Sequence, residues 1–252
     1  MIATVRSTAK KVLGPKLSAY LRSLKIKNLP STGEYRQHLR GRTALEIGGP
    51  SEIFALGPLP IYSVLRGVDN CNYAAQTLWE PAGFGPTYGR TFIGEASSLK
   101  EIPDRSYGCV LSSHSLEHLA NPLKALYEWK RVLSPDGLLL LILPDKERTF
   151  DWRRPVTPLD HMIGDYAQGT SEDDLTHLKE ILELHDLSRD LLAGTPEQFK
   201  ARSLKNSSFR ALHHHVFSVP STLEMLKHAG FSPVLSEAAP PLHMIFLARK
   251  IE

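Results

Sequence analysis

Thr43-Ala44-Leu45-Glu46-Ile47-Gly48-Gly49-Pro50-Ser51 decides how this chain is read. A short apolar run interrupted by one acid ends in two glycines, and Pro50 and Ser51 suit the first turn of a helix. The pattern predicts strand, tight turn, helix. Glycines let a backbone approach a ligand closely, and a helix start presents unpaired N–H groups, so a polar ligand is expected at this turn.

Elements of the same kind recur on either side. Ile61 to Asp69 is expected as a second strand ending in an acid, Arg90 to Ala96 as a short third, and Tyr107 to His114 as a fourth. Asn121-Pro122 opens a helix whose buried stripe is Leu123, Leu126, Tyr127 and Leu133, and Ser134-Pro135-Asp136-Gly137 ends it. Leu138 to Leu143 is continuously apolar, as a central strand covered on both faces should be, and it stops at Pro144-Asp145. Strands alternating with helical stretches predict an α/β, doubly wound, Rossmann-like sheet, mostly parallel, whose ligands sit at the strand carboxyl ends. Those ends carry Glu46, Asp69, Glu95, His114 and Asp145.

Four regions follow. Residues 1–40 form an N-terminal helical arm, with Val12, Leu13, Leu17, Tyr20, Leu21 and Leu24 at helical spacing before a break at Pro30 to Gly33. Residues 41–145 form the ligand-binding core. Residues 146–210 turn polar and helix-biased, and are expected as a helical insertion capping the substrate side. Residues 211–252 complete the sheet with a helix ending at Gly230 and two strands, one of them antiparallel.

Composition narrows the function. With 252 residues, 42% hydrophobic and 23% charged, the chain suits a globular protein with a full core. A net charge of +3 gives no argument for nucleic acid, and the basic residues near the N-terminus are expected as a solvated face. The two cysteines, Cys71 and Cys109, offer neither a disulfide framework nor metal spacing, which suits a reducing compartment. No stretch is apolar for long enough to span a bilayer, and a cytoplasmic protein without a membrane partner is expected.

Taken together, Glu46-Ile47-Gly48-Gly49, Asp69, Gly94-Glu95-Ala96, Ser113 to His118, and Arg131 to Gly137 before an apolar strand resemble class I S-adenosylmethionine-dependent methyltransferases of the bacterial type 11-like subgroup. Pro50 stands where that family usually places its second glycine. The resemblance implies S-adenosylmethionine as cofactor. It places Gly48 and Gly49 against the methionine part, Glu46 near its amino group, Asp69 on the ribose hydroxyls, Glu95 and Ala96 beside the adenine, and Ser113 or His114 close by. A softer likeness around Pro144 to Lys146, Thr149 to Asp151, Arg154-Pro155, Thr157 to His161 and His213 to Phe217 implies a sugar or another small metabolite as acceptor.

Methyl transfer to a hydroxyl requires alignment and removal of a proton, a task for which histidine is suited by its near-neutral pKa. The candidate bases are His118, His161, His213 and His215. No metal is assigned, because a histidine and carboxylate ligand set depends on geometry. His177, His185 and His228 are expected at the surface. Two alternatives stand beside this reading. One is an NAD-type oxidoreductase, disfavoured by the missing dinucleotide glycine spacing, and the other is a non-catalytic nucleotide-binding or regulatory module.

Overall fold

The computed structural model describes residues 29–78, 88–190 and 192–252. The expected helix over residues 12–24 lies outside the described residues, as does most of the glycine- and proline-rich stretch before Arg90.

Seven strands form one sheet: β1 (Thr43–Ile47), β2 (Gly67–Asn72), β3 (Thr91–Ile93), β4 (Tyr107–Ser113), β5 (Leu133–Pro144), β6 (Phe231–Ala239) and β7 (His243–Lys250). Their spatial order is β3-β2-β1-β4-β5-β7-β6. The first five run parallel, and β7 enters antiparallel between β5 and β6. The doubly wound sheet with an antiparallel C-terminal strand is therefore present. Its last position separates it from the 3-2-1-4-5-6 order of dinucleotide oxidoreductases.

The helices described are α1 (Thr32–Leu39), α2 (Glu52–Ala55), α3 (Pro122–Val132), α4 (Leu159–Gln168), α5 (Leu178–Leu184), α6 (Pro196–Ser203), α7 (Asn206–Phe209) and α8 (Val219–His228). Their ends follow local chemistry. Pro122 stands in the first turn of α3 while the Asn121 side chain accepts from Lys124 N–H, and capping boxes begin α6 at Thr195 and α8 at Ser218.

Both faces of the sheet are covered. Alternate residues of β5 divide between two cores: Leu139, Leu141 and Leu143 pack towards α3 and α8, and Leu138, Leu140 and Ile142 towards α1 and Phe54. All six are fully buried, which accounts for the unbroken apolar run.

Three expectations about element boundaries are corrected. Gly33 lies inside α1 instead of breaking a helix. The expected turn Ser134 to Gly137 is absorbed into β5, where a register shift opposite Tyr107 to Cys109 and a positive φ at Asp136 take up the extra residues. Most consequential for the site, Tyr62 to Val64 is a short 3-10 turn, and β2 starts at Gly67 and runs three residues beyond Asp69.

Candidate functional site

A cavity of about 500 Å³ opens at the carboxyl ends of β1 to β4. The turn after β1 forms one wall. Gly48 has φ +78°, and a Cβ there would stand 2.2 Å from Ser115 Oγ, so this position needs glycine both for its dihedral and for the close approach of the loop after β4. Gly49 packs on the Glu46 carboxylate, with a Cβ position 2.1 Å from its carbon, and does not line the cavity.

Glu46 itself is fully buried and turned away from the cavity. It accepts from Ser51 N–H at 3.1 Å and from the Tyr62 hydroxyl. Burial pushes its carboxyl up to about 7, against the opposing pull of those two donors. Its visible task is to hold the glycine turn from behind.

At the end of β2 the cavity meets Asn72 and Tyr73. Asn72 Nδ2 donates to the Gly49 carbonyl at 2.7 Å, tying strand end to glycine turn. Asp69 lies mid-strand, three residues short, and borders a separate cleft. Its carboxylate accepts from Arg90 N–H and the Tyr107 hydroxyl, each at 2.7 Å. The sequence reading missed Asn72 because it ended the strand at the acid.

Glu95, Ala96, Ser113 and His114 all line the cavity. Glu95 is paired with Arg210 at 2.6 Å, and Arg210 also pairs with Glu172 and lies over the Tyr73 ring. His114, at φ +51°, places Nε2 2.8 Å from His243 Nδ1 and Nδ1 3.4 Å from the Glu117 carboxylate. Burial, then the neighbouring His114, push His243 down to about 4.

Of the four candidate bases, the structure brings two into the cavity. His118 and His213 stack edge to face, with ring centroids 4.7 Å apart, beside Glu117. His118 Nδ1 donates to the Leu212 carbonyl at 3.0 Å, which leaves Nε2 as its basic nitrogen. Burial, followed by the charge of His213, pushes His118 down to about 4 although Glu117 opposes this. His213 moves the other way: burial works against its charged form, but its bonded partner Asp151 prevails and raises its pKa.

Glu117 is fully buried, with His114 Nδ1 3.4 Å from its carboxylate. Burial alone would lift its pKa, but the imidazoles of His114 and His118 outweigh that and hold it below the usual range. The cavity wall thus combines a buried carboxylate, an imidazole whose burial disfavours its charged form and a second imidazole whose charged form is favoured by its bonded carboxylate.

Arg154 positions this group. It is 1% exposed and donates to Asp151 at 3.1 Å, Glu180 at 2.8 Å, and the carbonyls of His213 at 2.8 Å and His214 at 3.2 Å. The Arg154-Pro155 pair was visible in the sequence, but apart from Asp151 its partners lie 26 to 60 residues away. The Asn206 side chain accepts from Ala211 and Leu212 N–H and pairs with His214 Nε2, fixing the same segment from the other side.

His161 and His215 lie outside the cavity lining. They gather with His177, which is a half-buried helix cap and not a simple surface residue. His185, also expected at the surface, stacks between Phe150 and Phe199 and bonds to Asp190. Among the described residues no helix is long and apolar enough to cross a membrane.

A parallel-majority sheet with its cavity at the strand carboxyl ends defines an α/β protein built around a small ligand. Residues 45–141 match a family described as a methyltransferase domain. The matched stretch runs from the first strand into the fifth and includes most of the cavity-lining strand ends, so this part of the chain resembles a methyltransferase domain of the kind that uses S-adenosylmethionine. No curated protein matches its sequence. Its fold is similar to a Burkholderia thailandensis 1,6-didemethyltoxoflavin-N1-methyltransferase solved with 1,6-didemethyltoxoflavin and S-adenosylhomocysteine (16% identity, 100% of this chain and 89% of that one, TM-score 0.52). It is also similar to an S-adenosylmethionine dependent methyltransferase from Mesorhizobium loti (16% identity, 88% of this chain and 96% of that one, TM-score 0.51).

Proposed function

We propose that the protein methylates an oxygen of a small polar acceptor, such as a sugar or secondary metabolite, with His118 taking the acceptor's proton. The observation that carries this reading is that His118 lies in the cavity wall beside the buried carboxylate of Glu117, with burial disfavouring the charged form of its ring.

The residues fit S-adenosylmethionine. The cradle at Gly48, which a Cβ would fill, together with Asn72 and Tyr73, Glu95 and Ala96, and Ser113, would hold it. When bound, it supplies an electrophilic methyl group on a sulfonium sulfur. The chain's own residues orient the acceptor and move its proton. As the acceptor oxygen would take the methyl and the methyl–sulfur bond would break to leave neutral S-adenosylhomocysteine, the hydroxyl proton passes to His118 Nε2, and the nearby Glu117 carboxylate stabilises the imidazolium that forms. His213, its ring fixed by Asp151 on one side, faces the acceptor and orients it.

Residues 146–210 act as the substrate cap in this reading, supported by Arg148, Thr149, Phe150, Arg189 and Arg210 in the cavity wall. The test is a panel of hydroxylated small molecules supplied with S-adenosylmethionine and scored by release of S-adenosylhomocysteine. His118→Gln, which keeps a polar group near Leu212, should bind the cofactor with unchanged affinity while turnover falls about 10²- to 10⁴-fold. Unchanged turnover would remove His118 as the base, and a product methylated on nitrogen or carbon would remove the oxygen assignment.

A further inference from the structure

Behind the cavity wall, three histidines converge from stretches far apart in sequence. His161 stands in the first turn of α4, His177 caps α5, and His215 closes the run of three histidines before α8. One ring nitrogen from each lies within 4.8 Å of the others, and His161 Nε2 and His177 Nε2 are 3.0 Å apart. Asp165, one helical turn beyond His161, places Oδ2 3.0 Å from His215 Nε2 and 3.4 Å from His161 Nε2.

In a tetrahedral site, metal-to-nitrogen bonds of about 2.0 to 2.1 Å put neighbouring ligand atoms about 3.3 Å apart. The separations between these side chains fall around that value, so one ion is reached by small side-chain rotations. We propose that His161, His177 and His215, with Asp165, form a binding site for a divalent transition metal, zinc by ligand chemistry.

The burial of the cluster fits such a site. His215 is 1% exposed and Asp165 9%, His177 is intermediate and His161 exposed, so the cluster is closed on the protein side and open to an entering ion. Imidazole nitrogen and carboxylate oxygen are the donors that borderline metals prefer over magnesium or calcium. The ion would join α4, the start of α5 and the segment carrying His213, and would brace the wall of the methyl-transfer cavity without touching it.

The test uses the full chain, stripped with a chelator, dialysed and titrated with zinc or cobalt(II). Metal content by mass spectrometry should reach about one equivalent per chain, and cobalt should give the visible absorption of a four-coordinate nitrogen and oxygen site. His177→Ala and His161→Ala, both at positions with solvent access, should each weaken zinc at least about tenfold and abolish the zinc-induced rise in Tm. Circular dichroism verifies their fold. The proposal is overturned if the wild-type chain takes up no stoichiometric metal, if either variant binds as wild type, or if metal is lost in His118→Ala instead.

Discussion

Arg154 and His213 are bound to each other twice, once directly and once through a third side chain. Arg154 Nη1 donates to the His213 carbonyl at 2.8 Å, and the Asp151 carboxylate that Arg154 pairs with receives His213 Nδ1. The guanidinium therefore sets both the backbone and the ring of a residue in the cavity wall, from 59 positions earlier in the chain.

Arg154→Met should be among the most destabilising single changes in the protein. It takes from the buried Asp151 one of its two charged partners and leaves the carbonyls of His213 and His214 without the guanidinium, at a cost of about 3 to 5 kcal/mol. Urea denaturation of wild type and variant measures it. A loss below about 1 kcal/mol would show that water replaces the guanidinium.

The pH profile of turnover separates His118 from an ordinary histidine base. Its pKa is pushed down to about 4 by burial and the His213 charge, and the groups facing it are Glu117, His114 and His213. A base of this kind is unprotonated through the neutral range and gains its proton only in acid. Activity should be flat between about pH 6 and about pH 8 and fall towards about pH 4. An acid limb near pH 6.5 would point to an unperturbed histidine instead.

Glu46 makes stability depend on pH. Its folded pKa, about 7, lies above its ordinary value of 4.5, so the folded state holds the proton longer. The stability this contributes is complete below the unfolded pKa and is lost as pH rises through about 7. Glu46→Gln keeps an acceptor for Ser51 and Tyr62 without the buried charge. It should unfold like wild type at about pH 5 and be more stable by about 1 to 3 kcal/mol at about pH 8, as thermal melts at both pH values would show.

Asn72→Ala and Asp69→Ala should separate in calorimetric titration with S-adenosylmethionine. Asn72 lines the cavity and holds the Gly49 carbonyl, and its loss should weaken binding about tenfold or more. Asp69 serves Arg90 and Tyr107, and its loss should lower Tm while leaving affinity within about twofold. The reverse order would return the ribose-binding role to Asp69.

Gly48→Ala should lower cofactor affinity and cost about 1 to 3 kcal/mol of stability. Adding Ser115→Ala removes the 2.2 Å contact but not the φ of +78°, so the double variant should recover only part of the loss. Complete recovery would assign the whole effect to the contact.

The sequence alone determined the sheet and its glycine turn, because these depend on neighbours a few residues apart. An apolar run such as Leu138 to Leu143, bounded by Gly137 and Pro144, suits a strand covered on both sides, and Gly48 marks a backbone that side chains do not tolerate. Tertiary structure decided which polar side chains face the cavity. Because the cavity lies at the carboxyl end of the strand, carrying β2 three residues past Asp69 brought Asn72 into the site and left Asp69 beside a separate cleft. It also divided His213 and His215, two residues apart, between two different clusters, because the donors and acceptors that select each, Asp151 and Asp165, come from distant stretches. Local pattern carries no signal for such pairings, since they depend on where the chain returns 50 and 62 residues later.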